Sequence, residues 1–346
     1  MARLAVIPGD GIGPEVLAEA LPILEWTRSR GRELDWQVHP WGAEHYLGTG
    51  EALPEEAFSE IRDKCDAVLF GAVGDPRIPD NRHAESILLR LRQGLELSVN
   101  YRPCAPILDT LLPFKDLKAA AIRLEVFREN TEGPYCLKGH SDGFHAVDEA
   151  HHSDPAIRRL LEAAFERAEL TQRPLTLAHK ANVLKHGHGL WMRVFRELQG
   201  SHPGVQASAM HADVLFCALI QRPDAFAILA GDNFIGDLLS DLTAGFMGGM
   251  GAAASLSYAP HKPFRCNALA EPVHGSAPDL MGQGLANPVG MILSLGLLFQ
   301  HFGWNAEALS IEDAVAQVLK AGGATPDMGG NLSTQGMGSA IRAALV

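Results

Sequence analysis

The fold is decided by one stretch, Gly231-Asp232-Asn233-Phe234-Ile235-Gly236-Asp237-Leu238-Leu239-Ser240-Asp241. It follows the apolar segment 226–230, which has the composition of a buried strand. A helix that begins near Asn233 would carry Asp237 and Asp241, four residues apart, on one face. Because strand and helix patterns alternate in this way through most of the chain, we predict an α/β fold.

The two aspartates of this stretch allow two interpretations. Carboxylate oxygens at this spacing suit Mg²⁺ or Mn²⁺, with water and substrate at the remaining octahedral positions. Aspartate is also common in the first turns of helices, where it caps backbone N–H groups and complements the helix dipole. The spacing alone favours the capping role.

Length and composition narrow the class of protein. The 346 residues suggest about two domains, and 47% hydrophobic residues support a large core. The 41 acidic residues outnumber the 29 basic ones, giving a formal charge of -12, which argues against nucleic-acid binding. The five cysteines are scattered, as in a reducing compartment, and no segment is long enough to span a membrane, so we expect a cytoplasmic protein.

Two glycine-containing turns follow predicted strands near the N-terminus. The strand 4–7 leads into Pro8-Gly9-Asp10-Gly11-Ile12-Gly13-Pro14-Glu15-Val16, with Pro14 suited to the first turn of a helix. The alternating glycines do not match the GxGxxG pattern, so the turn does not predict a Rossmann fold. The strand 66–70 leads into a second turn, 71–74.

Arginines in three separate segments are candidates for an anion site. One predicted helix places a carboxylate, two leucines and an arginine at i, i+3, i+4 and i+7, hence on one face: Glu85, Leu88, Leu89 and Arg92. Arg102 and Arg128 lie in two further segments. The three guanidinium groups either converge on carboxylates or lie apart on the surface.

Three later segments complete the set of candidates. Lys180 follows the predicted strand 175–178, the usual position of an α/β active-site residue, although a surface lysine is also common there. The polar segment 141–155 is predicted to be an arm, and its His151 and His152 are interpreted as solvated because no third metal ligand stands at a recognisable spacing. The loop 271–279 is rich in turn formers and backbone donors for phosphates.

Together these motifs resemble the isocitrate/isopropylmalate dehydrogenase family of metal-dependent β-decarboxylating dehydrogenases. The matching pieces occur in family order: 8–16, Arg92 with 100–103, 128–133, 180–183, 236–241 and 271–279. The resemblance implies a two-domain fold with a mixed central sheet, distinct from the Rossmann fold. Residues 1–97 with 246–346 would form the cofactor-side domain. Residues 98–245 would form the substrate, metal and dimerisation domain, with an arm near 139–155.

The resemblance also implies roles for individual residues in a homodimer with shared active sites. Arg92, Arg102 and Arg128 would bind substrate carboxylates. The divalent cation, Mg²⁺ or Mn²⁺, would be held by Asp237 and Asp241, with Asp213 from the partner. Lys180, also from the partner, would act as the base, and Tyr135 would be the acid that protonates the enol after CO₂ leaves.

For the cofactor, the resemblance implies NAD. Members of the family that use NAD carry an aspartate at the position of Asp279, where a carboxylate accepts hydrogen bonds from the ribose 2′-hydroxyl and repels a 2′-phosphate. Other positions match further cofactor contacts: His274, Gly275, Ser276, Ala277 and Asn287.

The substrate signals conflict. Glu85 with Leu88 and Leu89 resembles the isopropylmalate pattern, whereas 71–76, 128–133 and 325–327 resemble the malate/tartrate and homoisocitrate branches. Nearby basic residues would suit an anionic side group instead: Arg82, His83 and Arg90. We expect a 3-isopropylmalate-type substrate first, D-malate or tartrate second, and homoisocitrate or isocitrate third.

A different class of function also remains open, that of a catalytically silent family member acting as a binding or regulatory subunit. The complete set of candidate catalytic, substrate and metal residues argues against it.

Overall fold

The computed structural model describes residues 1–346. The first part of the chain alternates strands and helices: β1 (Ala2–Gly9), α1 (Gly13–Ser29), β2 (Leu34–Val38), α2 (Ala43–Thr49), α3 (Glu55–Lys64), β3 (Ala67–Ala72), α4 (Arg82–Ala84), a π-helical turn (Glu85–Leu89), α5 (Arg90–Gly94), β4 (Val99–Cys104) and β5 (Leu124–Glu129). The predicted strands at 4–7 and 66–70 are therefore both present.

The rest of the chain begins with a small hairpin and then resumes the alternation: β6 (Gly139–Ser141), β7 (Ala146–Asp148), α6 (Asp154–Thr171), β8 (Leu175–His179), α7 (Gly187–Ser201), β9 (Ala207–His211), α8 (Ala212–Gln221), β10 (Ile228–Gly231), α9 (Asn233–Phe246), β11 (Ala254–Tyr258), β12 (Ala268–Pro272), α10 (Val289–His301), α11 (Asn305–Lys320) and α12 (Thr334–Ala343). The hairpin β6–β7 lies in the segment predicted to be an arm, and its residues are exposed.

Ten strands form one mixed sheet in the order β2-β1-β3-β12-β11-β4-β5-β10-β8-β9. The outer pairs are parallel, whereas β11 runs antiparallel to both β12 and β4, and β4 antiparallel to β5. This mixed sheet confirms the predicted α/β class and the absence of a Rossmann topology.

The buried apolar residues form four clusters, two on each side of the antiparallel strands of the sheet. Two clusters draw their residues from segments before residue 98 and after residue 251. Two others draw theirs from residues 99–246. The clusters separate near the proposed domain boundary, although the sheet is continuous across it, and the division into domains itself stays a prediction.

Helix α10 is strongly apolar, and nearly all of its residues are buried. No helix in the structure combines the length and apolarity needed to cross a membrane.

Helix α9 begins as predicted, at Asn233, directly after β10. Its N-cap is Asp232, whose side chain accepts a hydrogen bond from the backbone N–H of Ile235 at 2.7 Å. The helix lies against β5 at Gly236, where a Cβ atom would come within 2.9 Å of the Arg128 side chain. Because this contact has no room for a methyl group, the small residue sets the distance between α9 and β5.

We predict opposite effects of two glycine-to-alanine substitutions in α9. Gly236→Ala should lower the free energy of unfolding by about 1–3 kcal/mol, because the added methyl group overpacks Arg128. Gly245→Ala, in the exposed last turn with no atom within 4 Å of the new Cβ, should be neutral or stabilise by up to about 1 kcal/mol through helix propensity. Denaturant unfolding measures both, and equal effects would contradict this packing.

Candidate active site

The ends of three neighbouring elements bring the predicted basic and acidic residues together. Arg102 lies on β4 and Arg128 on β5, and the register pairs Arg128 with Gly231, the last residue of β10. Because α9 starts immediately after β10, its first two turns face both arginines. Elements from separate parts of the chain thus meet at the central strands of the sheet.

Asp237 is the centre of this arrangement. Its Oδ1 accepts hydrogen bonds from Arg128 Nη1 and, at 3.4 Å, from Arg102 Nη1. Its Oδ2 accepts a 2.7 Å hydrogen bond from the hydroxyl of Tyr135, whose ring lies under the Arg128 guanidinium at 5.0 Å. The guanidinium groups of Arg102 and Arg128 therefore converge on a carboxylate, which was one of the two arrangements considered from the sequence.

The remaining donors of both arginines are held by polar side chains. Arg128 donates twice to the Asn233 side-chain oxygen, at 2.9 and 2.7 Å. Arg102 donates to the side chains of Asn100, at 2.7 Å, and Ser240, at 2.8 Å. These bonds fix the planes of the guanidinium groups, so the site is preorganised.

Arg92 completes the basic cluster from α5. It is buried, and its Nη2 donates to Glu271 Oε1 at 2.6 Å. Its Nε is buried without a hydrogen-bond partner. A buried donor of this kind is costly to leave unpaired, so it marks a place where a ligand acceptor fits.

The charged side chains of this cluster shift one another's pKa values. Burial opposes ionisation of Asp237, but Arg128 and Arg102 outweigh it and lower its pKa. The pKa of Asp241 is raised by burial and by the nearby charge of Asp237. Burial and the Arg102 charge lower the pKa of Arg128 to about 10, which leaves it charged at neutral pH.

The capping interpretation of the two aspartates is wrong, because Asp232 caps α9. The Asp241 side chain is 40% exposed and meets Arg102 only at 3.4 Å, so its oxygens remain available. The available oxygens of Asp241, next to the Asp237 carboxylate that the arginines and Tyr135 orient, form a donor set that a hard divalent cation fits.

Lys180 and Asp213 lie apart from this cluster within one chain. Lys180 Nζ donates to Asp213 Oδ1 at 2.7 Å, and this bond lowers the pKa of the Asp213 carboxyl. Neither side chain has a hydrogen bond or an ion pair with Asp237 or Asp241. A single chain thus separates residues that the resemblance assigns to one site.

The structure corrects the interpretation of residues 85–92. They do not form one regular α-helical face, because 85–89 is a π-helical turn, a feature often found at functional sites. Glu85 is exposed, Leu88 and Leu89 are half-buried, and Arg92 is buried. Glu85 and Leu89 line a cleft of about 480 Å³ whose opposite side includes Leu137.

Of the three basic residues considered for an anionic substrate group, Arg82, His83 and Arg90, two are engaged by partners within the chain. His83 is fully buried, with Nε2 at 2.8 Å from the Asp10 carboxylate. Arg90 pairs with Glu55 and lies over the Phe58 ring. Only Arg82 of the three is exposed.

His151 is exposed, as expected, whereas His152 is only half-exposed and has partners within the chain. His152 Nδ1 accepts a 3.2 Å hydrogen bond from Trp191, and the ring lies beside His188 and Asp232. The three side chains have ligand atoms within 4.8 Å of one another. Nδ1 of His188 also accepts an N–H, from the Lys180 backbone. In neutral rings each Nε2 therefore carries the proton, which disfavours metal binding there.

The predicted cofactor loop is joined to the first glycine turn. The backbone N–H of Ile12 donates to the Ser276 carbonyl oxygen at 2.8 Å. Gly11 has a φ of +57°, and a Cβ there would collide with the same carbonyl. The close approach of the two loops therefore requires glycine at this position.

The other predicted cofactor residues surround this junction. Gly275 and Asp279 are exposed, Ser276 is buried, and Ala277 has an unusual φ of +38°. His274 Nε2 is buried without a partner, and burial lowers the pKa of this histidine. The Asn287 amide is used internally, donating to Asp327 at 3.1 Å, which leaves backbone groups for any ligand contact there.

Four residues of the site network were not predicted from the sequence: Asn100, Asn233, Ser240 and Glu271. Asn100, Asn233 and Ser240 stand inside quoted motifs, but a neutral side chain carries no signal of charge pairing. Glu271 is the first residue of the motif 271–279, for which only cofactor contacts were expected. Its partner Arg92 is 179 positions away, so only the folded chain reveals the pair.

We predict that Asp237→Asn lowers the pKa of the Tyr135 hydroxyl. Burial raises this pKa first, and the hydrogen bond and charge of Asp237 raise it further. Removing the charge eliminates the second contribution. Ultraviolet absorbance during alkaline titration measures the shift; the control Asp224→Asn, at an exposed position, should leave it unchanged. An unshifted Tyr135 in Asp237→Asn would contradict the contact.

Comparisons of the sequence and of the fold with known proteins point to the same family. The family model described as isocitrate/isopropylmalate dehydrogenase matches residues 3–341. A 3-isopropylmalate dehydrogenase from Thermobifida fusca is 39% identical, covering 92% of this chain and 91% of that protein. A probable tartrate dehydrogenase/decarboxylase from Bacillus subtilis is 35% identical, covering 96% of this chain and 94% of that protein.

A solved structure agrees with these relatives. The crystal structure of isocitrate dehydrogenase from Methylococcus capsulatus superposes with a TM-score of 0.90 and 32% identity, covering 100% of this chain and 99% of that one.

Proposed function

Because the chain belongs to the isocitrate/isopropylmalate dehydrogenase family, we propose that it oxidises and decarboxylates a 3-substituted malate of the 3-isopropylmalate type, using NAD and Mg²⁺ or Mn²⁺. The observation that carries the proposal is the convergence of Arg102, Arg128 and Tyr135 on Asp237, with the buried Arg92 beside them. Such a cluster binds a small dicarboxylate next to a cation site.

The arginines bind and orient the substrate. Each guanidinium group is held in a fixed plane, and the Nε of Arg92 has no partner within the chain. Two carboxylates held at fixed points align the C2 hydroxyl and the C3 carboxylate for reaction. Burial of the guanidinium groups strengthens each contact, because little water screens it.

Asp237 and Asp241 would hold the cation, with Asp213 supplied by a second copy of the chain. When bound, the cation lowers the pKa of a coordinated hydroxyl and stabilises negative charge on oxygen, and the nicotinamide accepts hydride. The chain's own groups move the protons: Lys180 takes the hydroxyl proton, and the Tyr135 hydroxyl returns one to the enol carbon. The pKa of Tyr135, raised by burial and by Asp237, keeps this hydroxyl protonated for that task.

NAD would lie along the loops 9–13 and 274–279. The orphaned Nε2 of His274 is a buried polar atom that a cofactor group could satisfy. The exposed Asp279 carboxylate favours a ribose 2′-hydroxyl over a 2′-phosphate, since like charges repel.

An alkyl substituent at C3 fits this site better than a third carboxylate. Leu89 and Leu137 line a cleft that adjoins α5, the helix that carries Arg92, whereas His83 and Arg90 are occupied by internal partners. The similarity to a tartrate dehydrogenase/decarboxylase keeps D-malate or tartrate as the second candidate. Isocitrate or homoisocitrate ranks third, because only Arg82 could meet the extra charge.

A homodimer would bring the separated halves of the site together. Apolar side chains are exposed on the arm, on the loop after β8, and on α8 and α9: Leu137, Phe144, Val147, Val183, Leu184, Val214, Ile220, Phe234 and Leu238. These surfaces also carry Lys180 and Asp213 or flank the aspartates of α9. Burying them against a second copy would remove exposed apolar area and complete each site.

The proposed function predicts NADH formation from 3-isopropylmalate in the presence of Mg²⁺ or Mn²⁺. Because the isopropyl contacts are apolar, we expect kcat/KM to exceed that for D-malate by roughly 10–200-fold, and NAD to be preferred over NADP. Spectrophotometric assays across 3-isopropylmalate, D-malate, tartrate, homoisocitrate and isocitrate measure this. No turnover of any of them would favour the catalytically silent subunit.

Shared active sites predict activity in mixed dimers of two inactive chains. Lys180→Ala and Asp237→Asn homodimers should each be inactive. A dimer with one chain of each kind should have one intact site and about half the wild-type kcat per dimer. Co-expression with two affinity tags isolates it. Inactive mixed dimers would show that Lys180 and Asp237 serve the same chain's site.

A further inference from the structure

His188 lies where three functional segments meet. It stands at the start of α7 with 1% of its surface exposed, and its Nδ1 accepts the backbone N–H of Lys180 at 3.0 Å. Its Nε2 lies 3.2 Å from Oδ2 of Asp232. One buried ring thus connects the residue after β8 with the N-cap of α9.

The hydrogen bonds fix the tautomer of this ring. Since Nδ1 accepts, Nε2 carries the proton in the neutral ring and faces the Asp232 carboxylate. Asp232 uses its other oxygen, Oδ1, to cap α9 through Ile235. The Asp232 carboxylate lies close to Nε2 but forms no hydrogen bond with it, so the only hydrogen bond of the ring is the one that it accepts from Lys180.

The Lys180 backbone carbonyl accepts hydrogen bonds from the N–H groups of Val183, at 3.0 Å, and Leu184, at 2.9 Å. Two further contacts hold its N–H and its side chain. The backbone N–H bonds to His188, and the ammonium group bonds to Asp213 at 2.7 Å. Asp213 is 63% exposed, whereas the backbone contact is partly buried. Loss of the His188 contact would free the N–H of Lys180, and a small backbone rotation there displaces the amine at the end of a long side chain.

Resting on the proposed function, we propose that His188 is a positioning residue that holds the backbone of the base Lys180 for the reaction. It does so through Nδ1, while the negative charge of the nearby Asp232 favours the proton on Nε2 and so leaves Nδ1 free to accept. His188 touches no reacting atom. Its loss should lower kcat more than it raises KM, because Arg92, Arg102 and Arg128 bind the substrate independently.

Two substitutions of His188 separate the contacts. Asn places its Oδ1 near the position of histidine Nδ1 and can accept from Lys180, whereas Gln extends its amide past that position towards Asp232. We expect His188→Gln to lower kcat on 3-isopropylmalate roughly 10–100-fold with KM changed less than about threefold. His188→Asn should keep kcat within about fivefold of wild type. His261→Gln, at an exposed position, is the control.

Amide hydrogen exchange at Lys180 tests the contact without relying on activity. The N–H should be protected in the wild type and in His188→Asn, and should exchange faster in His188→Gln. Equal exchange in the two variants, or a wild-type kcat in His188→Gln, would overturn the proposal. If the wild type turns over none of the substrates, the proposed function fails, and the exchange result alone decides whether His188 holds Lys180.

Mixed dimers distinguish positioning from general support of the fold. In the dimer of Lys180→Ala and Asp237→Asn chains, only the Asp237→Asn chain gives its lysine to the intact site. His188→Gln on that chain should lower kcat at least about tenfold, and on the Lys180→Ala chain less than about threefold. Equal losses from both placements would assign His188 a structural role only.

Discussion

The ion pair between Arg128 and Asp237 is the interaction on which the rest of the site depends. It joins β5 to α9 where Gly236 allows the helix to approach the strand. Burial makes an isolated guanidinium or carboxylate costly, so each partner requires the other. Three further residues each form a hydrogen bond with one member of this pair: Tyr135 and Arg102 with Asp237, and Asn233 with Arg128.

This constraint explains how an acidic chain can bind an acidic substrate. The overall charge of -12 would repel a dicarboxylate at long range. Three buried guanidinium groups reverse the sign locally, because the low dielectric surroundings strengthen their field and solvent ions do not screen it. The carboxylates of α9 then limit the positive charge and leave oxygens for a cation. Anion and cation sites can therefore be neighbours.

Much of the fold could be predicted because its signals are local. The start of α9 follows from the apolar strand before it and from the Asp232 cap, and the buried α10 follows from its composition. The π-helical turn at 85–89 could not be predicted, because its residues have an ordinary α-helical pattern. Likewise His83 and His152 were expected near solvent or substrate, since no local feature reveals Asp10 or Trp191 as partners.

The sequence by itself determined the α/β class, the order of the elements and the candidate residues of the site, because periodicity, caps and motifs are properties of short segments. Only the tertiary structure decided which of those residues act together. Arg102 and Asp237 are 135 positions apart, yet the pairing of β4 with β5 and of β5 with β10 brings them together. Asp232 and Asp237, five positions apart, have different tasks: the first caps α9, and the second meets the arginines. That division depends on which face of the helix lies against β5, and the packing at Gly236 decides it.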